Sequence, residues 1–319
     1  MSFSIVIPHY GKNAFRLRNI KFTIYYLSKC FPDTEIIISE QIDGESALAG
    51  IPLPEHAIHN TFQGDSKGFN KCKAINSAVC RAKNDIIVMC DNDCTAPRAA
   101  ILKAVEYVSE HPLTLVYPFD SIKKLSEMPS RYLSATEYSE EGFLNFSKNE
   151  NSANLPVFPV KHYTGGINVF SKKLFDLVGG FDEDFCGWGG EDDAFMNKCR
   201  RLADKPVRVT DSVLVHMYHG SETASRSYCD SAENKKFVHV LRNCTKEELA
   251  EYASGKISLK ELKSKYESDH SFKYRKLIRR DGTPCMIDVT VYDLPEGHGD
   301  DYTSEEIYDI INSDWADKI

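Results

Sequence analysis

Ile86-Ile87-Val88-Met89-Cys90-Asp91-Asn92-Asp93 decides the fold. An unbroken apolar run between Asn84-Asp85 and a pair of aspartates reads as a strand, Asp85–Cys90, buried on both faces. Such strands belong to parallel sheets covered by helices. Upstream, Ala74, Ala78 and Ala82 recur along one face of a helix spanning Asn70–Ala82. Downstream, Pro97 introduces a helix over Ala99–Ser109, since proline suits a first helical turn. Farther toward the N-terminus lie a strand at Ser4–Ile7, a helix at Phe15–Leu27 and, after Pro32-Asp33, a strand at Glu35–Ser39. This alternation predicts an α/β fold, a Rossmann-like and mostly parallel mixed sheet flanked by helices. Sheets of this kind bind ligands at the carboxyl ends of their strands.

Beyond this core the order weakens. Residues 120–160 read as irregular and polar, either a loop over a site or a connection. Tyr163-Thr164-Gly165-Gly166 then leads into a short strand through Phe170, a helix from Lys172 and the turn Gly179-Gly180-Phe181. Val207–Met217 reads as one late strand and Thr245–Glu267 as an exposed helix. Asp281-Gly282 signals a turn before a strand at Met286–Tyr292, and Thr303–Ser313 reads as a short closing helix. A catalytic domain over 1–244 and a small helical and β accessory region over 245–319 are the expected division.

The 319 residues are 42% hydrophobic, enough for a core and against global disorder. A net charge of −8 argues against nucleic acid as a partner. No apolar run is long enough to span a bilayer, and Met1-Ser2-Phe3-Ser4 lacks the basic start of a signal peptide. A cytoplasmic location follows as the expectation, with peripheral association at the inner face of the membrane left open. The ten cysteines are scattered without a CxxC pair and are expected to be reduced.

Four constellations carry chemistry. Asp91-Asn92-Asp93 stands where a sheet faces its ligand crevice, so one carboxylate can hold a divalent cation and leave other positions to diphosphate oxygens. Read alone, these are also ordinary turn residues. His216-Met217-Tyr218-His219 follows the strand-like Val213-Leu214-Val215, and its two imidazoles can converge on one ion if the chain turns there. An ordinary histidine pair fits the same residues. Mixed Asp and His ligation favours Mn²⁺ over Ca²⁺. Phe69-Asn70-Lys71-Cys72-Lys73 opens a helix, a natural place for a phosphate, although solvated lysines fit equally. In Gly187-Trp188-Gly189-Gly190-Glu191-Asp192-Asp193, glycines let a ligand approach, Trp188 offers a flat apolar plate, and the acids begin a helix. A ring beside an anchored carboxylate suits a sugar, which stacks its C–H face and donates a hydroxyl proton.

In their order along the chain these residues resemble inverting glycosyltransferases of the GT-A fold. They are similar to the animal β1,4-galactosyltransferases and to the galactosaminyl-transferring halves of bacterial chondroitin-type polymerases. The resemblance runs over about residues 3–225 and is most specific at Gly165–Asp193. It implies that Asp93 and His219 hold Mn²⁺, with Mg²⁺ as the substitute, against the phosphates of a UDP-sugar. His216 stands where those animal enzymes use methionine. It further implies Asp192 as general base toward the acceptor hydroxyl, Glu191 as the residue orienting the sugar, and Trp188 as a lid platform. Pro8, His9 and Tyr10 fall where the family grips uridine or phosphate, without the family's arginine pattern after that proline. Phe69, Lys71, Asp91, Asn92, Gly165, Gly166, Gly189 and Gly190 complete the implied donor and substrate contacts.

The activity so implied transfers galactose or N-acetylgalactosamine from UDP to a glycan or lipid-linked glycan, forming a β-linkage in surface polysaccharide synthesis. Two other readings compete. A sugar-nucleotide-forming nucleotidyltransferase calls for a glycine-rich phosphate loop, and Pro8-His9-Tyr10-Gly11-Lys12-Asn13 is a poor one. A non-catalytic carbohydrate-binding protein would use the same cleft. The basic run Lys273-Tyr274-Arg275-Lys276 with Arg279-Arg280 suits an acidic glycan or lipid diphosphate, or is a solvated surface.

Overall fold

The β-branched and apolar runs of the N-terminal half assemble side by side: Ser4–His9 (β1), Glu35–Ile42 (β2), Ala57–Gln63 (β3) and Ile86–Cys90 (β4) are mutually parallel. β1 is central, with Val6 aligned with Ile37 on one side and Met89 on the other, and every residue of β1 and β4 is buried. The computed structural model describes residues 1–64, 68–136, 138–148, 157–160, 163–185, 187, 189–220, 228–266, 274–278, 284–288 and 317–318.

Further strands follow as Cys94–Thr95 (β5), Val116–Tyr117 (β6), Ser121–Lys124 (β7), Phe158–Pro159 (β8), Ile167–Ser171 (β9), Val207–Arg208 (β10) and Val213–His216 (β11). The last are Tyr274–Ile278 (β12), Pro284–Asp288 (β13) and Asp317–Lys318 (β14). The main sheet runs β14-β10-β6-β9-β4-β1-β2-β3, and β9 makes it mixed by lying antiparallel to β4 and β6. A smaller sheet, β5-β11-β7-β8, stands at the carboxyl end of β4.

The helices start where the sequence supplies caps. Asn13 accepts from Arg16 N at the start of Ala14–Cys30 (α1), and Asn70 accepts from Lys73 N at Lys71–Arg81 (α2). Arg98–Glu110 (α3) follows Pro97. The acidic helix Glu191–Leu202 begins at Gly190, whose φ of 97° is left-handed backbone that favours glycine. Its first turn carries Glu191, Asp192 and Asp193 and its last turn Arg200 and Arg201, the distribution that the helix dipole favours.

Several expectations need correction. Strand Ala57–Gln63 was not expected, because at this sheet edge none of its residues is buried and it carries polar His59, Asn60 and Thr61. The stretch 120–160 is not irregular throughout: it holds β7 and helices Glu127–Ala135 and Glu140–Lys148. Val207–Met217 is not one strand but β10 and β11, which lie in different sheets, separated by Asp211 at a φ of 55°. Thr245–Glu267 is two helices, Lys246–Ala253 and Leu259–Tyr266, parted by Gly255 at a φ of 74°. Nor is that region wholly exposed, because Leu249, Leu259 and Leu262 are buried. The strand expected at Met286–Tyr292 is described as Pro284–Asp288, paired with β12. The turn Asp281-Gly282 and the helix at Thr303–Ser313 lie outside the described residues.

A buried ionic knot fixes the acidic helix against its neighbours. Lys198 Nζ is 2.6 Å from Asp182 Oδ1 and 2.8 Å from the Gly180 carbonyl, and the Tyr252 hydroxyl donates to the same Asp182 oxygen at 2.7 Å. The Gly179 backbone meets the Ala253 carbonyl so closely that a side chain at 179 would collide with it. Removing one member of a buried pair leaves an uncompensated charge. Lys198→Met is therefore expected to cost about 3–5 kcal/mol in urea unfolding, and Lys198→Met with Asp182→Asn to recover most of it.

Candidate active site

The carboxyl end of β4, the start of α2, the Gly165-Gly166 turn and the start of the acidic helix meet at one ammonium group. Lys71 Nζ lies 2.9 Å from Asp192 Oδ2, 3.0 Å from Asp91 Oδ1 and 3.5 Å from Glu191 Oε1. Lys71 is buried, which alone would lower its pKa, but the three carboxylates raise it well above the ordinary value and keep it charged. One cation does not balance three acids. Burial, with Glu191 and Asp91 nearby, pushes the Asp192 carboxyl well above the usual range despite Lys71. A carboxylate so placed is a stronger base than an exposed one.

The glycines before β9 make room for this cluster. A side chain at Gly165 would sit 2.8 Å from Asp192 Oδ2, and Gly166 has a φ of 92°. Gly166 N donates to Asp91 Oδ2 at 3.1 Å, while Asp91 N donates to the Gly166 carbonyl at 2.7 Å. Thr164 Oγ1 donates to Asp193 Oδ1 at 2.8 Å, so the third acid of the helix start anchors the turn. At Gly189 a side chain would meet nothing within 4 Å, so the backbone there borders open space. Trp188 lies outside the described residues.

Asp93 stands two residues beyond Asp91, with His216 Nε2 3.8 Å from one of its oxygens and His219 Nε2 3.8 Å from the other. These gaps exceed hydrogen-bond length and suit atoms that share an ion. Burial would raise the Asp93 carboxyl, but His216, His219 and Arg16 outweigh it and hold it below the usual value. Burial lowers His219, favouring the neutral imidazole that ligates metals. One carboxylate with two imidazoles fits a first-row divalent cation such as Mn²⁺.

The turn that brings His219 back is held from a distance. The Tyr218 carbonyl accepts from Arg18 Nη2 at 2.9 Å and from Asn19 Nδ2 at 3.1 Å, and Tyr218 N donates to Ser130 Oγ at 2.8 Å. These supports were not anticipated, and no local pattern in the sequence marks them. Arg16 was also not anticipated. Its charge acts on His9, Asp93 and His219 together from the first turn of α1.

Next to this lies a cavity of about 220 Å³ lined by Tyr10, Gly11, Lys12, Glu40, Gln41, Asp43 and neighbours. Tyr10 stacks on Phe69 with centroids 5.4 Å apart, and its hydroxyl donates to Asp43 Oδ2 at 2.7 Å. Gln41 joins the two walls by donating to the Gly68 carbonyl and accepting from Asn70 N. Pro8 and His9 are buried beneath it rather than lining it. The His9 ring contacts Asn92 Nδ2 at 2.8 Å, and burial lowers its pKa to about 4. His9 therefore props the Asp91–Asp93 turn from behind as a neutral ring.

Residues 63–179 match the family described as Glycosyl transferase family 2, and residues 147–220 match the N-terminal domain of galactosyltransferase. The chain is 38% identical over 52 residues to mouse beta-1,4-galactosyltransferase 1, covering 16% of this chain and 12% of that protein. It is 22% identical over 219 residues to chondroitin synthase of Pasteurella multocida, covering 61% of this chain and 22% of that protein. The chain thus spans less than a quarter of the length of these relatives. Among solved structures, S. aureus TarS 1-349 in complex with UDP-GlcNAc superposes with a TM-score of 0.50 at 13% identity, covering 85% of this chain and 75% of that one. The fold is of the GT-A type, and the sequence matches within residues 63–220 are to glycosyltransferase families.

Asp192 titrates above the usual carboxylate range, so its cost to folding is absent below the unfolded carboxyl value and complete above its raised value. Lys71→Met removes the opposing cation and enlarges that cost. The variant is expected to lose on the order of 3 kcal/mol near neutral pH and progressively less as pH falls toward 4, measured by urea unfolding across pH.

Proposed function

We propose that this chain is an inverting, divalent-metal-dependent glycosyltransferase that moves galactose or N-acetylgalactosamine from a UDP-sugar to a glycan hydroxyl, forming a β-linkage. The observation that carries the reading is the convergence of Asp91, Glu191 and Asp192 on Lys71, directly beside the Asp93–His216–His219 set. The galactosyltransferase and chondroitin synthase matches support the sugar class.

On this reading the cavity beside Tyr10 and Phe69 takes the nucleoside, with Asp43 and Gln41 as its polar partners. Arg16 supplies positive charge for the diphosphate, while Lys71 stays committed to the three acids. Asp93, His216 and His219 would hold a divalent cation, which would supply positive charge toward the departing diphosphate. Asp192 takes the acceptor hydroxyl proton as that oxygen bonds to the anomeric carbon. The bond from that carbon to the diphosphate breaks on the opposite face, and UDP leaves with the electron pair. Glu191 orients the sugar, and Gly189 leaves it room. The absence of a membrane-spanning helix among the described residues and the free thiols Cys30, Cys72, Cys90, Cys94 and Cys199 support a cytoplasmic place in polysaccharide synthesis. A glycan, free or lipid-linked, is the proposed acceptor.

Release of UDP from UDP-galactose or UDP-N-acetylgalactosamine with Mn²⁺ and a glycan acceptor tests the activity. Glycan binding without UDP release would mark a binding protein instead, and pyrophosphate release from UTP a nucleotidyltransferase. Asp192→Asn is expected to lower transfer by about 10²–10⁴-fold with Mn²⁺-dependent UDP binding retained by calorimetry. The acid limb of the wild-type kcat/KM profile should fall above the usual carboxylate range, because the base there is Asp192. Asp93→Ala should weaken Mn²⁺ and UDP binding together.

A further inference from the structure

Resting on the metal reading above, we propose that Cys94 is an additional ligand of the same cation, making the site thiophilic, with a preference for Cd²⁺, Zn²⁺ and Co²⁺ over Mg²⁺. Asp93, Cys94 and His216 each offer a ligand atom, and these atoms all lie within 4.8 Å of one another. Cys94 Sγ is 3.5 Å from Asp93 Oδ1, the oxygen that also faces His216 Nε2.

The small sheet builds this arrangement into the backbone. β5 and β11 are antiparallel, and Cys94 is directly opposite His216 in their register. Directly opposed residues project from the same face with Cβ atoms about 4.5–5.5 Å apart. Met217 N donates to the Asp93 carbonyl at 2.8 Å, which extends the pairing by one residue and sets Asp93 beside the pair. The thiol is fully buried, so a sulfur–metal contact there would be shielded from solvent and from competing thiols.

The donor chemistry sets the selectivity. Carboxylate and imidazole alone accept manganese and its neighbours, whereas a thiolate shifts preference toward softer ions. Ligation forms a sulfur–metal bond and releases the thiol proton to solvent, since the ligand form is the thiolate. Oxygen-preferring Mg²⁺ gains nothing from the sulfur.

The metal-free chain titrated with Co²⁺ supplies the test. Wild type is expected to show a near-ultraviolet thiolate-to-cobalt charge-transfer band, and Cys94→Ser and Cys94→Ala to lose it. Cd²⁺ affinity by calorimetry should fall in Cys94→Ser by at least the about 10–100-fold that loss of an outer-shell partner alone costs, with Mg²⁺ affinity unchanged. A cobalt-loaded wild type without the band overturns the assignment whatever the variants do, as does equal Cd²⁺ affinity in wild type and Cys94→Ser. Asp93→Ala separates the two readings. If it weakens Mn²⁺ binding while wild type lacks the band, only Cys94 ligation fails. If it leaves Mn²⁺ binding unchanged, the metal site itself fails.

Discussion

A single buried ammonium organises the site. Without Lys71, three carboxylates from two distant stretches would face one another in a place too dry to screen them. Its position follows from a chain of local causes. Asn70 caps α2 and sets Lys71 at the first helical position, while Gln41, reaching from β2, holds the residues before the cap. Gly165 leaves the space that lets Asp192 approach from the other side. The resulting excess of negative charge is both a strain on the fold and the source of the basicity that the proposed chemistry uses.

Much of the central architecture was legible in the sequence, for a physical reason. Ile86–Cys90 is buried on both faces, so its apolar character is unbroken, and Asp91-Asn92-Asp93 marks where burial ends. The acidic helix start was equally plain, because glycines and acids there serve backbone angle and helix dipole at once. Edge strand Ala57–Gln63 escaped notice because a half-solvated strand is polar enough to look like a loop. The division of 207–217 between two sheets depends on Asp211 adopting left-handed backbone, which an aspartate does not announce.

The site was legible in its parts and not in its joinery. The spacing of His216 and His219 suggested that they could meet. That they meet at Asp93 depends on Arg18 and Asn19 holding the Tyr218 carbonyl across some two hundred positions of sequence. Lys71 looked like a phosphate contact because it opens a helix, and its grip on Asp192 is invisible without the fold. His9 shows the converse, since proximity in sequence to the crevice placed it among ligand contacts while its full burial makes it a prop.

The grip of α1 on the Tyr218 carbonyl also has a mechanical meaning. The helix begins immediately after Tyr10, Gly11 and Lys12 at the cavity wall, and its second turn clamps the hinge that carries His219. On the proposed function, the wall that would take the base and the turn that would hold the cation therefore sit at opposite ends of one short helical segment. Little more than one helical turn joins them, so a substitution that shifts that turn would move both compartments together.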